Sequence, residues 1–421
     1  MFDRDKWQEI YSSLRSNKLR TFFTAFGVFW GIFMLIIMLG SGNGLRNAIF
    51  DGMGDFATNS AIMFTRQTTM PYKGFPRGRF WLFSGADMIA LRQNIPEIDE
   101  LAPRLQPWGG NSGNNVVYKL KAGSYNITGD FPAINKIDPV TILEGRFLND
   151  IDLLNRRKVA VIGNRVRDEM FAAGSQVLGE YIRINGVYYQ VVGVYEPKNR
   201  NINIGGDKEK SIFLPFTTMQ VSYNLGDDVH YFLVTAKPGH SASVVEEKCM
   251  KLLAQRNNVA PEDEQAFGHF NLEKEFKKMN GLFLGIRILI WIVGTGTLLA
   301  GVIGVSNIML IIIKERTKEI GVQRAIGATP WHIISQVITE SVTLTAIAGS
   351  FGLVLGVGLL GLVSQLLSSS GGGEQAIKNP EVNLQVGVTA LFILILAGIV
   401  AGLIPARKAV SMKPVDALRY E

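Results

Sequence analysis

The residues of this chain best suited to bond-making chemistry do not assemble into a recognisable set. His230, His240, His269 and His332 form no close cluster, so no metal site is suggested. Cys249 is the single cysteine, and one cysteine makes no intrachain disulfide. "RKVAVIGNRVRDEMF" (157–171) has the strand–glycine–helix look of a nucleotide-binding turn, but one glycine stands where the dinucleotide fingerprint needs three. No Gly-x-x-x-x-Gly-Lys-Ser/Thr phosphate loop, Leu-Ser-Gly-Gly-Gln or Gly-x-Ser-x-Gly occurs. There is no paired-acid cleft signature and no Cys/His pairing. The expectation is a chain without catalytic residues, cofactor or metal of its own.

The charges concentrate instead in "KERTKEIGVQRAIGATP" (314–330), with Lys314, Glu315, Arg316, Lys318, Glu319 and Arg324. The spacing predicts a helix over 314–326. Gly327 is suited to end it, and Thr329 to cap a second helix with Pro330 at its first position. Charges of both signs on a protruding helix suit a protein partner; a lipid-headgroup anchor would be more purely basic.

What positions this stretch is the apolar sequence on either side. The mean hydropathy of the 421 residues is +0.17, and the apolar residues are blocked. Thr21–Gly40, Ile288–Ile313, Ser341–Leu367 and Val386–Ala406 are free of charge over 20, 26, 27 and 21 residues. A bilayer core of about 30 Å needs about 20 helical residues, so all four runs qualify as spans. The first exceeds a signal-peptide core and lacks an Ala-x-Ala site, and reads as an uncleaved anchor. Lys and Arg crowd the leader 1–20, the loop 314–340 and the tail 407–421, whereas the loop 368–385 has only Lys378. Both termini and the 314–340 loop are therefore expected in the cytoplasm, with 41–287 and 368–385 outside. The net charge of +7 is partly topological and does not point to nucleic acid.

The segment 41–287 reads as α+β, a binding or mechanical module large enough for its own core. "NSAIMFTR" (59–66), "NNVVYKLKAG" (114–123), "SIFLPF" (211–216) and "YFLVTAKPG" (231–239) read as strands. Ser84 caps a helix over 84–98, and "ASVVEEKCMKLLAQR" (242–256) is an amphipathic helix with Cys249 on its buried face. Asn185-Gly186 between alternating strands predicts a type I′ hairpin. At the segment's end, Leu272, Phe276, Met279, Phe283, Ile286 and Ile290 follow steps of four and three, a coiled-coil seam. Leu45, Ile49, Met53 and Phe56 make a shorter stripe beyond the first span. The two are expected to pair as a stalk; the alternative is two ordinary amphipathic helices packing on the domain.

The spans hold no ionisable residue, which argues against an ion-coupled carrier. They do hold Gly27-x-x-x-Gly31, Gly352-x-x-x-Gly356 and Gly398-x-x-x-Gly402, which let helices approach closely within one chain or between two.

Several of these segments together resemble a known family. "KERTKEIGVQRAIGATPWHI" resembles the cytoplasmic-loop motif of FtsX-like ABC permeases, and "SLRSNKLRTFFTAFGVFWG" their first-span entry. "ILEGRFLNDIDLLNRRKVAVIGNRV" and "INGVYYQVVGVYE" resemble the MacB-type periplasmic core, and "PARKAVSMKPVDALRYE" the family's C-terminal end. The resemblance implies a mechanotransmitting ABC permease of the bacterial inner membrane: four transmembrane helices with a large α+β periplasmic domain between helices 1 and 2. It implies a second permease in a homo- or heterodimer, and an ATPase docked on the 314–330 stretch. With no phosphate loop in the chain, the ATPase is expected on a separate polypeptide. Efflux of drugs, peptides or lipid-like compounds through a periplasmic adaptor and an outer-membrane channel is the leading expectation. A lipoprotein-releasing permease and a non-transporting regulator of a periplasmic enzyme are the alternatives.

Overall fold

The computed structural model describes residues 18–53, 55–106, 115–172, 174–198, 206–369 and 384–411. The amphipathic leader before residue 18, most of the 368–385 loop and the tail from residue 412 lie outside these. The chain divides into an external unit, Phe50–Asn280, and a second unit built from the residues up to Ile49 and those from Gly281 onward.

Helix α1 spans Lys18–Met53. Strand β1 (Ser60–Thr65), the short β2 (Phe83–Ser84) and helix α2 (Gly85–Asn94) follow. Ser84 and Asp87 accept each other's backbone N–H groups, a reciprocal cap that satisfies two otherwise orphaned donors. Next come β3 (Ile98–Leu105), β4 (Val116–Tyr118), β5 (Lys121–Gly123) and β6 (Asn126–Asp130). The segment 114–123, expected as one strand, is thus a hairpin of two. Lys119 adopts φ +52° and reverses the chain, a turn that alternation of side chains does not announce.

Helix α3 (Ile134–Ile137), β7 (Val140–Gly145) and α4 (Asp150–Leu154) lead to β8 (Val159–Gly163) and α5 (Asn164–Met170), the expected strand–turn–helix. Strands β9 (Tyr181–Ile184) and β10 (Val187–Pro197) form the predicted hairpin. Asn185 at φ +46° and Gly186 at φ +89° supply the two left-handed residues that a type I′ turn needs. The unit closes with β11 (Ser211–Pro215), α6 (Phe216–Ser222), β12 (Asp228–Val229), β13 (Tyr231–Ala236), α7 (Ala242–Arg256) and β14 (Phe267–Asn271).

The strands form a mixed sheet in the order β14-β1-β13-β3-β6-β11-β8-β10-β9-β4-β5, with β7 also paired to β10; β2 and β12 pair separately. The β8–β10 and β6–β11 pairs are parallel. Val245, Cys249 and Leu253 of α7 are buried in one apolar cluster with Phe83, Phe232 and Phe267, so the periodicity of 242–256 identified the correct face. A smaller cluster joins Phe56, Ile62, Ala102, Ile134, Ile137, Leu233 and Leu272. Phe56 lies past the end of α1, not on its stripe as expected. Its ring is 3% exposed, a burial that stabilises by about 2 kcal/mol. The Lys208 ammonium sits 5.6 Å from that ring and pairs with Asp138 at 2.6 Å, while Ala57 N–H donates to the Ile137 carbonyl.

The remaining helices are α8 (Leu272–Glu315), α9 (Thr317–Ala325), α10 (Pro330–Ser369) and α11 (Leu384–Ser411). Together α1, α8, α10 and α11 contain the four charge-free runs and are long and apolar enough to cross a membrane. At 44 residues α8 measures about 66 Å, over twice the hydrocarbon thickness. Packing among these helices depends on small residues. A Cβ on Gly301 would lie 3.1 Å from the Gly27 carbonyl, and Gly31 faces Leu298, so α1 and α8 touch nearly backbone to backbone. Gly352 and Gly356 of α10 meet Phe29, Ile32 and Ile36 on the other side of α1, while Gly398 and Gly402 of α11 meet Val342 and Ile338 of α10. All three Gly-x-x-x-Gly pairs therefore make close approaches within this chain.

Candidate functional site

The charged stretch is two elements, not the single helix expected over 314–326. Lys314 and Glu315 complete α8, and the chain bends at Arg316 before α9 begins at Thr317. The Thr317 hydroxyl donates to the carbonyls of Ile313 and Lys314, in competition with the amides that would have continued the helix. The end of α9 is as the sequence suggests. Gly327, at φ +109°, donates to Arg324 O, and Ala328 donates to Gln323 O, a paired closure that satisfies two last-turn carbonyls. Thr329 then caps α10, with His332 N–H 3.0 Å from its carbonyl and 3.4 Å from its hydroxyl, and Pro330 follows at the first helical position.

The structure sorts the charges by face. Arg316 turns inward, its guanidinium 3.0 Å from the Glu340 carboxylate on α10 and 3.4 Å from Glu319. Arg324 also turns inward and donates to the Val410 carbonyl in the last turn of α11, at 2.6 Å. Thr317 is buried and Ile320 packs on the core of the helix bundle. Lys314, Glu315, Lys318 and Glu319 are exposed. Beside them stand three exposed apolar side chains, Val322 at 43%, Ile326 at 82% and Trp331 at 74%. The stretch from the end of α8 to the start of α10 thus exposes charges of both signs together with large apolar side chains. Val322, Ile326, Trp331 and Glu340 were not singled out from the sequence. Trp331 and Ile326 carried a signal there, as large apolar residues outside the apolar runs.

The predicted stalk residues fall as follows. On α8, Leu272, Phe283 and Ile290 are buried and Phe276, Met279 and Ile286 half-buried, whereas Leu282, Leu284, Ile288 and Leu289 are exposed. The seam is therefore the more covered side of α8. On α1, Leu45 is exposed and Ile49 half-buried, and the side chain of Met53 lies outside the described residues. In the external unit the Phe276 ring meets Phe50, at 5.5 Å between centroids, and Phe50 had no place in the expected stripe.

Four membrane-crossing helices, an α+β domain between the first and second, and a short surface helix between the second and third define a multi-pass membrane permease. The pattern described as "MacB-like periplasmic core domain" matches residues 21–251, more than half of the chain, and "FtsX-like permease C-terminal" matches 291–414. The chain belongs to this family of MacB-type, FtsX-like ABC transporter permeases. It is 28% identical over 98% of its length to the macrolide export ATP-binding/permease protein MacB of Bdellovibrio bacteriovorus, of which it covers 61%. It is 29% identical over 99% of its length to the pyoverdine export ATP-binding/permease protein PvdT of Pseudomonas savastanoi pv. phaseolicola, of which it covers 60%. The chain thus spans about three-fifths of these relatives. Among solved structures, the periplasmic region of MacB from Actinobacillus actinomycetemcomitans covers 54% of this chain and aligns over 94% of its own, with a TM-score of 0.43 and 18% identity.

Proposed function

We propose that this chain is the permease part of an ABC exporter in which an ATPase, outside these 421 residues, docks on the ridge formed by Lys318, Glu319, Val322, Ile326 and Trp331. The observation that carries this reading is the set of exposed apolar side chains on that ridge, in a permease whose own sequence has no phosphate loop. The Lys and Arg distribution supports an inner-membrane chain with both termini and the 314–340 loop in the cytoplasm, the segment 41–287 in the periplasm and spans at 21–40, 288–313, 341–367 and 386–406. A second permease copy or partner would complete the complex. The export relatives favour outward movement of a drug-like, peptide or lipid-like compound through an adaptor and an outer-membrane channel.

Aromatic and apolar hot spots cost about 2 kcal/mol or more when lost from an interface. Ile326→Asp with Trp331→Ala is therefore expected to strip the ATPase from the complex purified from its own host through a tag on this chain. The variant should still insert, because the spans are unchanged. Host cells carrying it should accumulate a labelled macrolide as cells lacking the gene do. ATPase recovery and macrolide accumulation at wild-type levels would mean that the ridge sits in lipid headgroups.

The stalk belongs to the same proposal. The ring contact between Phe50 and Phe276 makes this pair the place to lock it. In a Cys249→Ser background, Phe50→Cys with Phe276→Cys should couple through a short bismaleimide. Macrolide accumulation should then rise while the ATPase still co-purifies. Normal export by the coupled protein would separate the stalk from the transport stroke.

A further inference from the structure

A docked ATPase that bears on α9 can move the spans through the joints at either end of that helix. One is the bend at Arg316, with φ −94° and ψ 15°, and the other is the turn at Gly327. What stiffens the connection lies on the inner face. The Arg316 guanidinium and the Glu340 carboxylate are 3.0 Å apart, with side chains 20% and 11% exposed. Water screens such a pair less than a surface pair, and the planar guanidinium fixes its orientation. Glu340 stands on α10 directly before the charge-free run that begins at Ser341.

The second tie reaches α11. Val410 lies in the last turn of that helix, where carbonyls lack an intrahelical donor. Arg324 supplies one at 2.6 Å, with its positive charge at the negative end of the helix dipole. Each end of α9 is therefore tied to a different membrane helix by an arginine, although Arg316 also lies 3.4 Å from exposed Glu319.

We infer that Arg316 and Arg324 are positioning residues that carry displacement of α9 into α10 and α11, through Glu340 and the Val410 carbonyl, rather than contacts for the ATPase. This rests on the proposed docking of an ATPase at the ridge. The division of labour is specific: the outer residues of α9 hold the ATPase, and the inner arginines transmit its movement.

The test uses the full complex in lipid nanodiscs, with the ATPase that co-purifies. A bimane fluorophore on Leu362→Cys, exposed toward the far end of α10, in a Cys249→Ser background, reports movement of α10 on trapping with ATP and vanadate. R316E and E340R alone should each retain the ATPase and its hydrolysis but lose the bimane response by about fivefold or more, the lower range of a coupling free energy. The exchanged pair R316E/E340R should recover most of it, which a general loss of folding would not do. Arg324→Met should lose part of the response with the ATPase still bound. If a reversal fails to reach the membrane, R316Q and E340Q carry the same expectation. Single variants that respond as wild type, or an exchanged pair no better than either single, would overturn the inference. Loss of the ATPase in R316Q would also overturn it, since Arg316 would then be a contact. A wild-type complex with no response would instead bring down the docking reading itself.

Discussion

Replacing Gly352 by leucine is expected to prevent the four long helices from assembling. A Cβ at this position would fall 2.6 Å from the Phe29 carbonyl oxygen and 3.2 Å from the Phe33 amide nitrogen. Both are backbone atoms of α1, so no side chain can rotate to make room. Overpacking by even small groups costs about 1–3 kcal/mol where neighbours can adjust, and leucine adds three further carbons where they cannot. Helices in lipid also lack the hydrophobic drive that could compensate, because lipid tails are as apolar as leucine. The measurement is the yield of monodisperse detergent-extracted protein and its thermal aggregation temperature. Gly358→Leu on the same helix is the control, because its Cβ would meet no atom within 4 Å. If Gly352→Leu gives wild-type yield and stability, α1 and α10 do not pack as described.

The second large effect is expected in the external domain. Arg104 and Asp130 face each other across neighbouring strands β3 and β6, at 2.7 Å and almost fully buried. Burial pushes the Asp130 carboxyl above its usual value, against the opposing pull of Arg104. Arg104→Met would leave that carboxylate buried and unpaired, at a cost of about 3–5 kcal/mol. Hydrogen exchange at the β3 and β6 amides of the full chain should accelerate accordingly.

The pH dependence has a definite sign. The penalty in the variant belongs to charged Asp130, so it is full where pH lies above the raised pKa. It shrinks as pH falls through that value and Asp130 takes a proton. The gap between variant and wild type should therefore narrow from neutral pH toward the carboxylate range. Arg104→Met with Asp130→Leu, which removes both charges, should recover most of the stability. A gap that stays constant with pH, or a double variant as unstable as the single, would show that the pair's charge is not what holds β3 to β6.

These two cases also mark how far local sequence reaches. Span length and the absence of charge are properties of consecutive residues, so Ile288–Ile313 and Ser341–Leu367 were legible as membrane helices without any contact information. The hairpin at Asn185-Gly186, the cap at Ser84 and the buried face of 242–256 were legible for the same reason. Each rests on backbone geometry or periodicity within one or two turns of chain. The motif 314–330 announced a short helix, and Gly327 and Thr329 announced where it would stop and the next would start.

Which partner each charge takes was decided by tertiary structure. The carboxylate that holds Arg316 lies 24 residues along the chain, and the carbonyl that holds Arg324 lies 86 residues along it. Nothing local distinguishes these two arginines from exposed Lys318. The bend at Arg316 and the hairpin inside 114–123 escaped for a related reason, since both interrupt segments whose composition favours continuation. Phe56 was placed on the α1 stripe by periodicity alone, yet the helix ends before it and an apolar cluster fed by five other elements claims its ring. Periodicity fixes which side of an element is apolar because side-chain direction repeats along the backbone. It cannot fix what covers that side, because the neighbour comes from elsewhere in the chain, and only folding brings it there.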